Sequence, residues 1–173
     1  MTPRVYVDNV ITSGWILKDL KPPEEMTAVE HLYALHDAGT IKRVTSKMSG
    51  IEQARTTDLD KRAALAAKAD LVSVVQNDHR LLGFGSLDYG SRGFIAYPLM
   101  DDIVDPPWFE RLTKGAGLKD ADAKHVMYAV ANECQYFVTF DTRDLLPKRS
   151  VIESICSQLK VMTPTEAVAA LAV

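Results

Sequence analysis

Cysteine is scarce in this chain: Cys134 and Cys156 are the only two, with no C-x-x-C pair and no His/Cys cluster around them. That scarcity argues against a zinc site or a disulfide framework, and it makes a reducing cytoplasm the simplest setting. Long apolar runs are lacking too. The closing "AVAALAV" is far short of the ~20 residues that span a bilayer, so no membrane segment is expected. "MTPRVYVDNV" shows no leader pattern and enters a strand within its first residues. There is also no excess of positive charge. A formal net charge of −3 argues against non-specific attraction to nucleic acid over the whole surface, so such a partner would need a local basic patch or a bound metal ion. What remains is ordinary for a globular protein, 47% hydrophobic and 25% charged over 173 residues, which predicts a single domain with a sizeable core.

Strand and helix signals alternate along the chain. "RVYVD" reads as a strand ending on Asp8, and "PPEEMTAVEHLYALHDAG" as a helix with a proline start, early acids and a glycine stop. Ala28, Leu32 and Leu35 give that helix its apolar face. "TIKRVTS" is a second strand, with Ser46 or Ser49 placed to cap the next helix, and residues 51–75 read as mostly helical with a break near Thr56–Thr57. Residues 77–107 carry four glycines and three prolines and read as an inserted loop or hairpin. "PWFERLTKGAG" and "DADAKHVMYAVANE" are helices, "YFVTF" a buried strand, "KRSVIESIC" a helix, "LKVMT" a short strand and "PTEAVAAL" a closing helix. This rhythm predicts an α/β fold, a parallel sheet covered on both faces, with its ligand site at the carboxyl ends of the strands.

Acids stand at those ends. Asp8 closes the first strand, Asp141 comes just after "YFVTF", Glu52 lies early in the helix after "TS", and Asp122 sits in the first turn of "DADAKH". Each alone has an ordinary reading as a turn former or a helix-start acid that favours the helix dipole. Brought together by a parallel sheet, they would repel one another and push their pKa values up. A hard divalent cation, Mg²⁺ or Mn²⁺, resolves that conflict, since it takes oxygen ligands and leaves positions open to water or phosphate. Asp144, three residues beyond Asp141, reads either as an extra outer ligand or as a helix cap.

"VYVDNVI", "TSKMSGIE", "GLKDADAKHVMYAVANECQYFVTFDTRDLL" and "LKVMTPTEAV", in this order, resemble the successive signatures of PIN-domain proteins. The resemblance covers most of the chain and leaves out residues 77–107. It implies a three-layer fold with a central parallel sheet in the order 3-2-1-4-5, and Mg²⁺ or Mn²⁺ held by Asp8, Glu52, Asp122 and Asp141. It implies a ribonuclease that hydrolyses RNA phosphodiester bonds, and Thr139 matches the family's hydroxyl residue beside the site. Many members of the VapC type are toxins silenced by an antitoxin protein, so such a partner is a further expectation, and a homodimer another. The reading from a different class is a PIN-like module that binds RNA or protein without cutting.

Other residues carry weaker signals. His125, three after Asp122, reads as a packed, hydrogen-bonded histidine, with general base as the alternative. Lys42, Arg43, Lys47 and Arg55 are candidates for holding an RNA backbone, although Lys42, Arg43 and Lys47 also fit a solvated face and Arg55 an ion pair with Glu52. Phe84, Tyr89, Phe94 and Tyr97, with Arg80 and Arg92, fit packing of the insertion or a dimer contact, and alternatively a stacking surface for single-stranded RNA. "GFGSLDYG" fails the spacing of a nucleotide loop.

Overall fold

β-branched and aromatic residues decide the centre of the molecule. In the computed structural model, which describes residues 2–20, 22–67, 73–74 and 105–171, Arg4–Val7 forms β1, Lys42–Thr45 β2, Ser73–Val74 β3, Tyr136–Val138 β4 and Lys160–Met162 β5. All pairings are parallel, in the order β3-β2-β1-β4-β5. The sheet is thus an α/β parallel sheet, as the alternating pattern predicts, and β3 contributes only two residues at its edge.

Side chains alternate across each strand, and the two faces bury separate clusters. On one face Tyr6, Val44, Phe137 and Val161 pack with Val126, Met127 and Val130 of α6 (Asp120–Ala131) and Ile152 of α7 (Arg149–Ile155). On the other, Val5, Val7 and Val138 meet Ile11 of α1 (Asn9–Leu17), Val29 and Leu32 of α2 (Pro23–Asp37) and Ala167 of α8 (Pro164–Leu171). Helices therefore cover both faces. Tyr6 and Phe137 are register partners on β1 and β4, and their rings stack at 5.2 Å.

The local start and stop signals operate as the sequence implies. α2 begins at Pro23 with Glu24 and Glu25 in its first turn, and Gly39 just beyond it takes a φ of 73° that favours glycine. Ser46 caps α3 (Lys47–Ala54) by accepting the Met48 N–H, and Asp58 caps α4 (Leu59–Ala66) through the N–H groups of Asp60 and Lys61. The break expected near Thr56–Thr57 is the Arg55–Asp58 connection between these two helices.

One element goes unread in the sequence, and two expectations need correction. α1 carries no helical signal in the sequence, because "NVITSGWIL" mixes β-branched residues with Gly14. It forms because Asp8 caps it, because Ile11 is fully buried, and because Gly14 lets Leu20 approach closely: a Cβ there would lie 3.1 Å from the Leu20 side chain. Ser73–Val74, read as the end of a helix, is strand, in keeping with the β-branched "LVSVV" around it. The expected insertion overlaps α5 (Pro106–Glu110), which Asp105 caps; the remainder of it, with Arg80, Phe84, Tyr89, Arg92, Phe94 and Tyr97, lies outside the described residues.

Phe137→Ala would empty a fully buried site between Tyr6 and α6. Urea unfolding should show a loss of about 3–5 kcal/mol; a loss within experimental error would mean that the β1–β4 stack is not part of the cooperative core.

Candidate metal centre

The carboxyl ends of β1 and β4 lie side by side, and the chain turns acidic at both. The Asp8 N–H continues the ladder onto the Val138 carbonyl at 3.0 Å. The Asp8 carboxylate then turns into the protein. Its Oδ1 accepts the Asn9 N–H at 2.6 Å, capping α1, and its Oδ2 accepts the Thr139 hydroxyl at 2.6 Å. Burial pushes the Asp8 pKa up, while the nearby His125 and the Thr139 hydrogen bond pull it back. Thr139 is itself fully buried, and its oxygen also accepts the Asp141 N–H at 3.1 Å, so one hydroxyl sets the relation of both acids.

Beyond β4 the backbone wraps around Asp141, whose Oδ1 accepts the N–H groups of Arg143 at 2.8 Å and Asp144 at 3.0 Å. That turn brings Asp144 back beside Asp141, and the first turn of α6 brings Asp122 to both. Carboxylate oxygens of Asp122, Asp141 and Asp144 lie within 4.8 Å of one another. The Asp122 pKa is raised to about 6 by burial first and then by the charges of Asp8, Asp141 and Asp144. Among the described residues no group donates a hydrogen bond to its carboxylate. Asp144 is compensated differently: the Lys119 ammonium at 2.5 Å holds its carboxyl below the usual range, and Lys148 stands at 3.6 Å. The acids open into a cleft of about 500 Å³, which Asp8, Glu52, Lys119 and Arg143 also line.

Glu52 reaches this cleft from α3, and Gln53 ties the helix to α1 through Asn9 Oδ1 at 2.9 Å. The Glu52 Oε1 faces His125 Nε2 at 3.2 Å. His125 is 1% exposed, and its Nδ1 lies 2.7 Å from the Tyr6 hydroxyl, which donates to Ser46 Oγ at 2.6 Å. With the Tyr6 proton directed at Ser46, Nδ1 is the donor to Tyr6. A carboxylate only accepts, so Nε2 donates to Glu52. Burial drives His125 toward the neutral form, yet the Glu52 hydrogen bond and the charges of Asp8, Glu52 and Asp122 outweigh it, and its pKa is raised.

The expected acids Asp8, Glu52, Asp122 and Asp141 thus all line one cleft, but the ligand-spaced trio is Asp122, Asp141 and Asp144. Asp144, read as an outer ligand or a cap, lies in that trio because the Asp141 turn folds it inward. Of the basic candidates, Lys42 opens β2 and so lies at the strand end opposite the acids. Arg43 is 2% exposed with its guanidinium 3.1 Å from the Tyr33 ring, which removes it from the surface. Arg55 is exposed at the end of α3 and does not line the cleft, and the Lys47 side chain lies outside what is described. The cations that do line it, Lys119 and Arg143, carry no sequence signal beyond their nearness to the acids. Comparison of the chain with family models, with curated proteins and with solved structures finds no match.

The three raised pKa values share one sign for stability. Asp8 and Asp122 bind protons more tightly folded than unfolded, so their charges cost stability as pH rises above the ordinary carboxyl value, for Asp122 up to about 6. His125 adds stability below its ordinary value that is lost as pH rises through its raised folded value. In EDTA the melting temperature should therefore fall, on account of these groups, as pH rises from the carboxyl range past neutrality. Asp122→Asn should flatten the acidic part of that fall. At neutral pH it should stabilise the metal-free protein by on the order of 1 kcal/mol, since solvent screens a half-exposed group. An unchanged pH profile in that variant would show that Asp122 is not in the crowded cluster.

Proposed function

We propose that the protein is a ribonuclease that hydrolyses RNA phosphodiester bonds with Mg²⁺ or Mn²⁺ held at the carboxyl edge of the sheet. The observation that carries this reading is the approach of three carboxylates to ligand spacing in an open cleft, with Asp8 and Glu52 on its walls. The donor chemistry fits a hard divalent cation: the ligands would all be carboxylate oxygens, and Asp122 is held unfavourably by burial and its neighbours' charges with no counter-donor among the described residues. The resemblance of the acidic motifs to PIN-domain signatures supports the same reading.

In this reading Asp122, Asp141 and Asp144 would hold the ion, with Glu52 as a further ligand from the cleft wall and Asp8 adding negative charge behind them. When bound, the ion supplies a lowered pKa for the attacking water and charge stabilisation at the phosphate. The chain supplies the rest. Thr139 fixes the Asp8 carboxylate and the Asp141 backbone, so the acids do not spread apart. The Asn9 N–H at the start of α1 favours the charged form of Asp8, against the burial that raises its pKa. Lys119 and Arg143 line the same opening and are placed to meet a phosphate backbone, in the role that Lys42 and Arg43 cannot take.

The non-cutting alternative draws on one observation, the ammonium of Lys119 seated on Asp144, which neutralises part of the site without any ion. RNA cleavage with Mn²⁺ and with EDTA separates the two. The proposal expects cleavage only with metal, and losses of orders of magnitude in Asp122→Asn and Asp141→Asn. Equal cleavage in EDTA, or none with metal from protein that binds RNA, rejects it. Thermal melts supply an independent check: free Mn²⁺ at 100 times its dissociation constant should stabilise the parent by about 2.7 kcal/mol, and Asp122→Asn much less.

A further inference from the structure

The buried line Ser46–Tyr6–His125–Glu52 crosses the core from the start of α3 to the cleft, and packing alone does not explain it. Each contact is polar, at 2.6, 2.7 and 3.2 Å in order. Three of its four members are buried, with Tyr6 fully so, and only Glu52 reaches the opening, its side chain 24% exposed. Burying hydroxyls and an imidazole where Phe and Leu would pack costs desolvation, which raises the Tyr6 pKa well above its ordinary value. The line begins and ends on the same helix, because Ser46 caps α3 and Glu52 lies on it. It therefore fixes both the position of α3 and the direction of its one acid in the cleft.

We propose that His125 is a positioning residue: held through Nδ1 by Tyr6, it donates from Nε2 to Glu52 and sets that carboxylate at the metal site. This rests on the metal-dependent reading above. A free Glu side chain samples several rotamers, and holding it in one removes that entropy before the ion arrives. Groups that orient a ligand from behind in this way are typically worth about 10–100-fold in metal affinity.

The test is a double-mutant cycle on Mn²⁺ affinity by calorimetry, with His125→Leu, Glu52→Gln and both together, beside Tyr6→Phe. His125→Leu and Glu52→Gln should each weaken binding by about 10-fold, and the double variant should be no weaker than the worse single one. Tyr6→Phe keeps the ring on Phe137 and removes only the hydroxyl, so it should weaken binding in the same direction; a packing role predicts unchanged affinity there. Additive losses in the cycle, or parent-like affinity in His125→Leu, overturn the proposal. If the parent itself binds no Mn²⁺, the ribonuclease reading fails, and the same cycle measured by urea unfolding in EDTA judges the His125–Glu52 link separately: non-additive losses uphold it and additive losses overturn it.

Discussion

A parallel sheet sends the carboxyl ends of its strands to one edge, and here two adjacent strands turn acidic at that edge. Like charges at such spacing repel, and the repulsion grows as water is excluded. Much of the surrounding structure answers that repulsion. The Thr139 hydroxyl and the Asn9 N–H take the charge of Asp8, two backbone N–H groups take that of Asp141, and Lys119 and Lys148 take that of Asp144. Among the described residues Asp122 alone in the trio has no donor on its carboxylate, and burial and its neighbours' charges raise its pKa to about 6.

These answers differ in how they respond to an arriving cation. Neutral donors on Asp8 and Asp141 each use one lone pair and leave others, so they hold an acid in place without competing for it. The ammonium groups on Asp144 compete directly, because they carry the same sign as the ion. The site is therefore stiff at the strand ends and exchangeable at its outer rim. That division also places the positive charge of Lys119, whose side chain is mostly exposed, at the rim of the cleft.

Four of the five strands and most helices were legible because their signals are local: Val5, Tyr6 and Val7 before an acid, Pro23 with acids after it, Pro164 opening α8. α1 was not, since its stability lies in the cap from Asp8 and in the fit of Gly14 against Leu20, both set by tertiary structure. The acids on the cleft wall were legible from the strand-to-helix junctions. The promotion of Asp144 was not, because it depends on a turn whose shape is fixed by backbone N–H bonds to Asp141. Lys42 and Arg43 misled for a related reason. Proximity in sequence to Glu52 says nothing about which end of β2 a residue occupies, and a cation can be drawn under an aromatic ring.

Asp8 serves two masters. It walls the cleft, and it also holds the first turn of α1, the helix with least intrinsic reason to exist. Asp122, in the first turn of α6, makes no capping hydrogen bond there. The two acids would therefore decay unequally in a descendant that lost the proposed metal chemistry. Neutralising Asp122 relieves repulsion and would drift in freely, whereas losing the oxygen of Asp8 that caps α1 would be purged for the sake of folding alone. An acid persisting at position 8 would then be a relic of architecture, and the residue at position 122 the truer record of whether a lineage still uses its cleft.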